Sequence, residues 1–341
     1  MKISLPDSNT AVVFRLSAMG DVALLTGVLA YWHKRCQTKF ILITRAEFAP
    51  LFENHPAVIS MEKLSKEQLT YKEYHRICKK LAEKYADFPL FDLHASTRSR
   101  ILARKWKTTV YRYNKMPVLR RLFLWTKGKI GKSALLQKNV CQRYASLLSE
   151  ETAVPSFDRS LLKPQIFLTE EEKKTAKNIL KELFPDSSKK IIAIHPFATH
   201  SAKTLPLHRW QELCEILGKE YHILLVGKGE LSGQMQGKSL INKTNLRELC
   251  AVLHACSLLL TGDSGPMHLA NGVGIPLLAL FGPTTREWGF FPEGENVHIL
   301  QKDMPCRPCS LHGKQKCAQA VSCLEKIPAD EILAQVKIIL S

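Results

Sequence analysis

The chain has 341 residues, of which 45% are hydrophobic and 23% are charged, so it can bury sizeable cores and is not a disordered protein. This length suggests two domains of ordinary size. No uncharged apolar run reaches the roughly 18 residues that a membrane span needs. The first residues, MKISLPDSNTAV, lack the apolar centre and cleavage site of a signal peptide. We therefore expect a soluble, intracellular protein.

The net charge of +18 is unevenly distributed along the chain. Residues 1–163 hold 29 Lys/Arg and 13 Asp/Glu, whereas residues 164–341 hold 20 and 18. Residues 93–149 contain 14 basic side chains and no acidic one. This asymmetry favours an anionic partner for the N-terminal half, for which nucleic acid, an anionic membrane and a phosphorylated substrate are candidates. A solvated basic face is the alternative.

Apolar strands and helices alternate in the N-terminal half. Strands are predicted at 11–16, 39–44, 56–60, 88–94 and 108–113, and helices at 21–33, at 66–85 and in a basic stretch ending at 105. This alternation is typical of a parallel sheet covered by helices on both faces. The proline-bearing stretch 150–165 loses the periodicity and is the predicted linker, so the domains are placed at 1–160 and 161–341.

The alternation restarts after the linker. Strands are predicted at 189–196, 221–227, 257–262 and 276–282, and helices at 169–184, 206–219, 245–256, from about 264, and at 328–340. The last helix is a candidate to pack back towards the first domain. Two successive parallel α/β domains leave a cleft between them, and in such sheets ligands bind at the carboxyl ends of strands.

The loop after the first strand, in RLSAMGDVALLTGVL, places Asp21 at the mouth of a helix. The helix dipole and the terminal N–H groups keep a carboxylate ionised there. Such a carboxylate suits a general base that accepts a proton from a substrate hydroxyl, and it suits a helix cap equally well.

Two loops of the second domain carry groups that suit a nucleotide. HPFATHSAKTLPLHRW offers Thr199 and Lys203, a hydroxyl and a point charge for a diphosphate, although an ordinary surface loop would look the same. LLVGKGELS has Gly227 and Gly229 but not the complete G-x-G-x-x-G fingerprint. Glu230, directly after it, is placed to accept hydrogen bonds from a ribose.

The stretch LLLTGDSGPMHLANGVGIPLLALFGPT, residues 258–284, ends a buried strand in a Gly-Asp-Ser-Gly turn that enters a helix. Such a turn presents several N–H groups outward and forms an anion site. The nucleophile turn of serine hydrolases needs the pattern G-x-S-x-G, and here Pro266 replaces the second glycine. The spacing therefore excludes the nucleophile turn and leaves a phosphate site or ordinary turn chemistry.

Four cysteines cluster near the C-terminus as Cys306-x2-Cys309-x7-Cys317-x5-Cys323. One tight pair and two looser cysteines are compatible with zinc, and also with a reduced cluster that stabilises a loop. Disulfides are not expected in an intracellular protein.

The motifs GDSGPMHLANGVGIPLLALFGPT and RLSAMGDVALLTGVL together resemble the ADP-heptose:lipopolysaccharide heptosyltransferase family. The resemblance spans nearly the whole chain and includes the segment CRPCSLHGKQKCAQAVSC. It implies an α/β protein of the GT-B fold, with two Rossmann-like parallel-sheet domains facing a central cleft. It also implies an inverting glycosyltransferase that needs no cofactor and no metal.

The resemblance further implies roles for individual residues. Asp21 matches the catalytic base that deprotonates the acceptor hydroxyl. The donor-binding residues that it implies are Thr199, Lys203, Glu230, Asp263, Ser264, Gly265 and His268. The stretch THSAKTLP departs from the family pattern, because it lacks the aromatic residue that often follows the lysine.

The implied substrates are ADP-heptose and an acceptor of the lipid A and Kdo type, whose phosphates and carboxylates suit the basic first domain. Arg98 and Arg100 follow a strand end and are the candidate acceptor ligands. Residues 116–132 mix basic with apolar side chains, which fits either the cytoplasmic surface of the inner membrane or a core-facing helix. We expect a cytoplasmic, peripheral membrane protein that does not bind nucleic acid.

Two other functions are compatible with the sequence. A glycosyltransferase of the same fold would use another nucleotide sugar for cell-surface glycan synthesis. A basic nucleic-acid or membrane-binding module would not need an aspartate opposite a phosphate site, and the paired loops argue against it.

Overall fold

The computed structural model describes residues 9–148, 159–186, 188–314 and 317–341. These residues form two compact units. Unit 1 takes in the described residues of Met1–Met116 and Val140–Phe167, and unit 2 takes in those of Pro117–Asn139 and Leu168–Ser341. No helix of the described ranges is both long and apolar enough to cross a membrane.

Unit 1 is built on a parallel sheet of five strands in the order β3-β2-β1-β4-β5. The strands are β1 (Thr10–Phe14), β2 (Lys39–Arg45), β3 (Val58–Leu64), β4 (Leu90–Asp92) and β5 (Val110–Arg112). The helices of unit 1 are α1 (Met19–Cys36), α2 (Tyr71–Lys84), α3 (Thr97–Ala103) and α6 (Val140–Ala145). Between α3 and α6 the chain forms α4 (Pro117–Trp125) and α5 (Lys132–Leu136), which belong to unit 2.

Hydrophobic periodicity explains how the helices cover this sheet. All five residues of β1 are buried, as a strand between two helical layers requires. The buried positions of α2, which include Tyr74, Ile77, Cys78 and Leu81, follow the spacing of one helix face. α1 is buried along most of its length, and its Trp32 donates a hydrogen bond to the carbonyl of Ala145 in α6 at 3.2 Å.

Unit 2 contains a parallel sheet of six strands in the order β11-β10-β9-β6-β7-β8. The strands are β6 (Ile191–His195), β7 (His222–Leu225), β8 (Lys238–Ser239), β9 (Leu258–Gly262), β10 (Leu277–Phe281) and β11 (Val297–Gln301). The helices are α7 (Glu170–Leu183), α8 (Leu207–Leu217), α9 (Leu246–Ala255), α10 (Gly265–Val273) and α11 (Ala329–Leu340).

The last helix lies within the core of unit 2. Ile332 and Val336 of α11 are fully buried in one cluster with Trp210 and Leu213 of α8. From the sequence, this helix was a candidate to pack towards the first domain. Its apolar face is instead buried in the core of unit 2. α7 and α9 also pack together, and Arg247 is paired there with a carboxylate of α7.

The predicted alternation of strands and helices is confirmed, and so are the two Rossmann-like parallel sheets. The sequence did not predict β8, which has two residues, or β11, whose residues are partly buried or exposed. The third strand was predicted at 56–60 and runs instead from Val58 to Leu64.

The compact units depart from the predicted boundary at residue 160 in two places. Residues 150–158 of the predicted linker lie outside the described residues, and the chain after them packs on α1, where the amide of Gln165 donates to the hydroxyl of Thr26 at 2.9 Å. The segment 117–139 joins unit 2 because Arg120 donates to the carbonyl of Trp288 at 2.8 Å. Phe123 also lies edge-on to the Trp288 ring, at 5.3 Å.

Candidate functional site

Asp21 lies in the first turn of α1, three residues after the N-cap Ala18. Its Oδ2 accepts a hydrogen bond from the Ala18 amide at 3.2 Å and lies 2.7 Å from Nη2 of Arg15. The side chain is 20% exposed. Asp21 is thus part of a capping interaction, as the sequence allowed, and it is also an accessible carboxylate at the carboxyl end of β1.

Arg15 is a functional candidate that sequence reasoning did not single out. Its side chain is only 4% exposed, and its Nη1 donates to the carbonyl of Leu93, after β4, at 2.5 Å. Burial lowers the pKa of Arg15, but the charge of Asp21 and the hydroxyls of Tyr144 and Tyr113 raise it, and the net shift is upward. The signal in the sequence was a charged residue directly after four buried apolar ones.

The two predicted acceptor ligands lie on α3, which follows β4. Arg98 and Arg100 are both exposed, and the backbone carbonyl of Arg98 accepts a hydrogen bond from the hydroxyl of Tyr74 at 3.0 Å. β4 lies parallel to β1 as its neighbour in the sheet, so α3 begins at the same carboxyl end of the sheet at which Asp21 lies. Their placement is compatible with an anionic ligand at this edge.

In unit 2 the structure brings Lys203 and Asp263 together. Lys203 Nζ lies 2.5 Å from Asp263 Oδ2, and the two side chains are 17% and 11% exposed. The same oxygen accepts a hydrogen bond from Thr284 Oγ1 at 2.6 Å. Gly313 leaves room for the lysine stem, because a Cβ there would lie 2.6 Å from Lys203 Cγ.

Ser264 is the N-cap residue of α10, but its hydroxyl makes no capping hydrogen bond. It lies instead 3.0 Å from the hydroxyl of Thr261 and 3.2 Å from Nδ1 of His195. Burial lowers the pKa of His195 to about 4, so the ring is neutral at pH 7. The Ser264 side chain thus does not cap the amides of Gly265 and Met267 in the first turn, and uncapped helix amides suit an anion.

The remaining donor-site candidates are placed differently from one another. His268 is buried within α10, at 4% exposure. Thr199 and Glu230 are exposed, on the loops that follow β6 and β7. The structure thus places all of these loops at the carboxyl ends of parallel strands and brings Lys203 and Asp263 into direct contact.

The turn before Glu230 is held tightly against β6. Gly227 has a positive φ of 118°, and a Cβ there would lie 2.5 Å from the ring of His195. The Asn242 side chain donates to the carbonyl of Gly229 at 2.8 Å and accepts from its amide at 3.1 Å. The glycines that resembled part of a nucleotide fingerprint therefore allow close packing with the loop that carries Lys203.

The four clustered cysteines line one cavity of about 420 Å³, together with residues of the 201–206 loop. The ten cysteines all lie in the described residues, and none of them is part of a disulfide there. Burial raises the pKa values of Cys309 and Cys323. Over the described ranges, no group of three or more His, Cys, Asp or Glu side chains is arranged to hold a metal ion.

Residues 74–319 match the model of glycosyltransferase family 9 (heptosyltransferase). This match covers more than half of the chain. The chain belongs to glycosyltransferase family 9. The matched region includes the Lys203 and Asp263 loops and Arg98 and Arg100, whereas Asp21 precedes it.

Two relatives of this family 9 protein show how far the sequence similarity extends. It is 27% identical to lipooligosaccharide heptosyltransferase 2 of Campylobacter jejuni over 44% of this chain, and it spans 51% of that relative, about half of its length. It is 24% identical to lipopolysaccharide heptosyltransferase 1 of Campylobacter coli, over 80% of this chain and 83% of the relative.

Solved structures show that the likeness in fold covers nearly the whole chain. A family 9 glycosyltransferase from Veillonella parvula matches with a TM-score of 0.75 and 19% identity, covering 97% of both chains. E. coli ADP-heptose lipopolysaccharide heptosyltransferase II matches with a TM-score of 0.71 and 20% identity, covering 97% of this chain and 98% of that one. The predicted GT-B fold class is confirmed.

Proposed function

We propose that this family 9 chain is an inverting glycosyltransferase that transfers heptose from ADP-heptose to the inner core of lipopolysaccharide. The proposal rests on the position of Lys203, which Asp263 holds beside the start of α10. A cation next to helix amides suits the diphosphate of a nucleotide sugar. The names of the relatives support heptose as the sugar, and the E. coli enzyme with 20% identity is described as an ADP-heptose enzyme.

We assign each donor residue a role that fits its surroundings, either to the diphosphate, to the ribose or to the start of α10. Lys203 exchanges its contact with Asp263 for the diphosphate, and the amides of Gly265 and Met267 take the other phosphate oxygens. Thr199 is a further hydroxyl for the phosphates, and Glu230 accepts hydrogen bonds from the ribose. The buried His268 is assigned with Asp263 and Ser264 to shaping the start of α10.

The chemical step is a single displacement at the anomeric carbon. Asp21 accepts the proton of the acceptor hydroxyl as the acceptor oxygen forms its bond to that carbon. The bond from the anomeric carbon to the diphosphate oxygen breaks, and its electron pair leaves with ADP. Lys203 and the α10 amides stabilise the growing negative charge, so the proposed reaction uses no cofactor. Attack opposite the leaving group inverts the configuration.

The acceptor is proposed to be a lipid A molecule carrying Kdo, with Arg98 and Arg100 as ligands of its phosphate or carboxylate groups. Both guanidinium groups are exposed on α3, and the surrounding residues 93–149 contain no acid. Replacing both arginines by glutamine is expected to raise the KM for the acceptor by at least tenfold and to leave the KM for the donor unchanged. An unchanged acceptor KM would remove this assignment.

We also propose that α4 and the turn after it touch the cytoplasmic surface of an anionic bilayer. Val118 and Trp125 are 77% and 83% exposed, and Ile130 is 50% exposed. Exposed basic residues surround them, namely Arg121, Lys127, Lys129 and Lys132. Apolar side chains with Lys and Arg around them are typical of surfaces that bind anionic lipid.

Vesicle sedimentation tests the membrane proposal. The protein is expected to bind vesicles that contain phosphatidylglycerol and not vesicles of phosphatidylcholine alone. Trp125→Ser should weaken this binding at least fivefold, whereas Ile338→Ser, a change at another exposed apolar residue of unit 2, should not. Equal binding by the two variants, or none by the native chain, would contradict the proposal.

A donor panel tests the sugar and nucleotide. Transfer from ADP-heptose is expected to exceed transfer from UDP-sugars by a large factor, with a product of inverted anomeric configuration by NMR. A clear preference for a UDP-sugar would favour the alternative, a glycosyltransferase of the same fold in cell-surface glycan synthesis. Salt-sensitive binding of nucleic acid without any binding of nucleotide sugar would contradict both.

A further inference from the structure

The two oxygens of the Asp21 carboxylate have different surroundings. Oδ2 receives both contacts, from Arg15 Nη2 at 2.7 Å and from the Ala18 amide at 3.2 Å. Among the residues that the structure describes, no hydrogen bond or ion pair reaches Oδ1. Since the side chain is 20% exposed, Oδ1 is the oxygen available to a substrate.

Arg15 is itself held on several sides. Its backbone amide donates to the carbonyl of Ile43 at 3.0 Å, and its carbonyl accepts from the hydroxyl of Thr44 at 2.7 Å, so β2 fixes its main chain. Its Nη1 donates to the carbonyl of Leu93 at 2.5 Å. The guanidinium group also lies 5.8 Å from the centre of the Tyr144 ring.

This immobility has a consequence for Asp21. A buried arginine is costly unless it is paired, so the guanidinium and the carboxylate require each other. An arginine held only by its contact with Asp21 could move together with the carboxylate, and the carboxylate could then expose either oxygen. Because Arg15 is anchored at Leu93 and in the main chain, it fixes the orientation of Asp21.

We propose that Arg15 is the positioning residue of the catalytic base, holding Oδ2 so that Oδ1 takes the acceptor proton. This inference rests on the proposed function, in which Asp21 is the base. Arg15 does not touch the substrate in this account and acts through Asp21 alone.

The test compares Arg15→Met and Arg15→Lys with a matched control, Arg45→Met. Arg45 ends β2 in the same sheet, and its ion pair is with Glu47, at 2.8 Å, rather than with Asp21. Arg15→Met is expected to lower kcat by about 100-fold, the cost typical of a misplaced catalytic group. Arg15→Lys should retain more activity than Arg15→Met, because it restores the charge without the two-point hold. The control should keep its native kcat.

Further readouts separate positioning from folding. The affinity of Arg15→Met for ADP should stay within twofold of native, because unit 2 holds the donor residues, and its melting curve should remain cooperative. Added guanidinium should restore part of the rate of Arg15→Met, a rescue that loss of a merely structural residue would not show. If Arg15→Met does not fold, a kcat of Arg15→Lys below the native value carries the test.

The outcomes distinguish this inference from the proposed function. Suppose that the native chain transfers heptose and that Asp21→Asn does not. A native kcat for Arg15→Met would then overturn the role of Arg15 and leave the base assignment intact. Full transfer by Asp21→Asn would instead overturn the base assignment, and the positioning role with it.

Discussion

Replacement of Lys203 by methionine tests the donor site most sharply. Methionine keeps much of the apolar stem that lies against Gly313 but removes the charge 2.5 Å from Asp263. A hydrogen bond to a charged group is worth about 1.5–3 kcal/mol. At 1.4 kcal/mol for each factor of ten, Lys203→Met should raise the Kd for ADP by about 10- to 150-fold.

The structure also predicts how the partner acid contributes to this loss. In Lys203→Met, the Asp263 carboxylate loses the lysine charge, keeps the hydroxyl of Thr284 and repels the incoming diphosphate. The double variant Lys203→Met with Asp263→Asn should therefore bind ADP more tightly than Lys203→Met alone, though more weakly than the native chain.

Titration calorimetry with ADP measures these affinities. The matched control is Lys302→Met, because Lys302 pairs with Glu331 at 2.5 Å in the same unit at 35% exposure. The control should bind ADP like the native chain. A Kd for Lys203→Met within twofold of native would refute the assignment of Lys203 to the diphosphate.

Three further predictions concern stability and are checked by urea unfolding. Ser264→Ala removes the contacts with Thr261 and His195 and should lower the free energy of unfolding by about 1 kcal/mol; no change would show that this network is not stabilising. Burial lowers the pKa values of His195 and His55 to about 4, so between pH 4 and 6.5 the unfolded state binds more protons than the folded state. The free energy of unfolding should therefore fall by up to about 3 kcal/mol for each histidine as the pH drops from 6.5 to 4. Equal stability at both pH values would contradict this. Arg247→Met leaves the Glu172 carboxylate without the two contacts of 2.6 Å and should cost about 3 kcal/mol, and a loss below 1 kcal/mol would contradict a stabilising pair.

The loops of the candidate site could be predicted because each one follows a long apolar run. Such runs identify buried strands, and parallel strands carry ligands at their carboxyl ends. Asp21, Lys203 and Asp263 were found at such ends for this reason. Their roles came from the resemblance to a family, because a helix cap or a surface lysine has the same local sequence.

The contact between Lys203 and Asp263 could not be predicted from local sequence patterns. The two residues are sixty positions apart, and they meet because β6 and β9 are neighbours in the sheet. Strand order depends on how whole βα units pack, which periodicity does not report. The exchange of segment 117–139 into unit 2 depends in the same way on long-range contacts such as that of Arg120 with Trp288.

Arg15 and His195 were missed for a different reason. Both stand at the ends of apolar strands, where a polar residue is usually read as the edge of the element. Their importance lies in burial together with a specific partner, Asp21 for Arg15 and Ser264 for His195. Only coordinates show that combination.

In the proposed reaction, Asp21 deprotonates the acceptor while unit 2 binds the donor independently of it. The direct measurement is transfer of heptose from ADP-heptose to a Kdo-bearing lipid A acceptor by the native chain and by Asp21→Asn, with the ADP affinity of both. We predict transfer by the native chain and an unchanged Kd for ADP in Asp21→Asn. The kcat of Asp21→Asn should fall by at least 1,000-fold, which is in the upper range for general base catalysis. Transfer by Asp21→Asn at the native rate would contradict it.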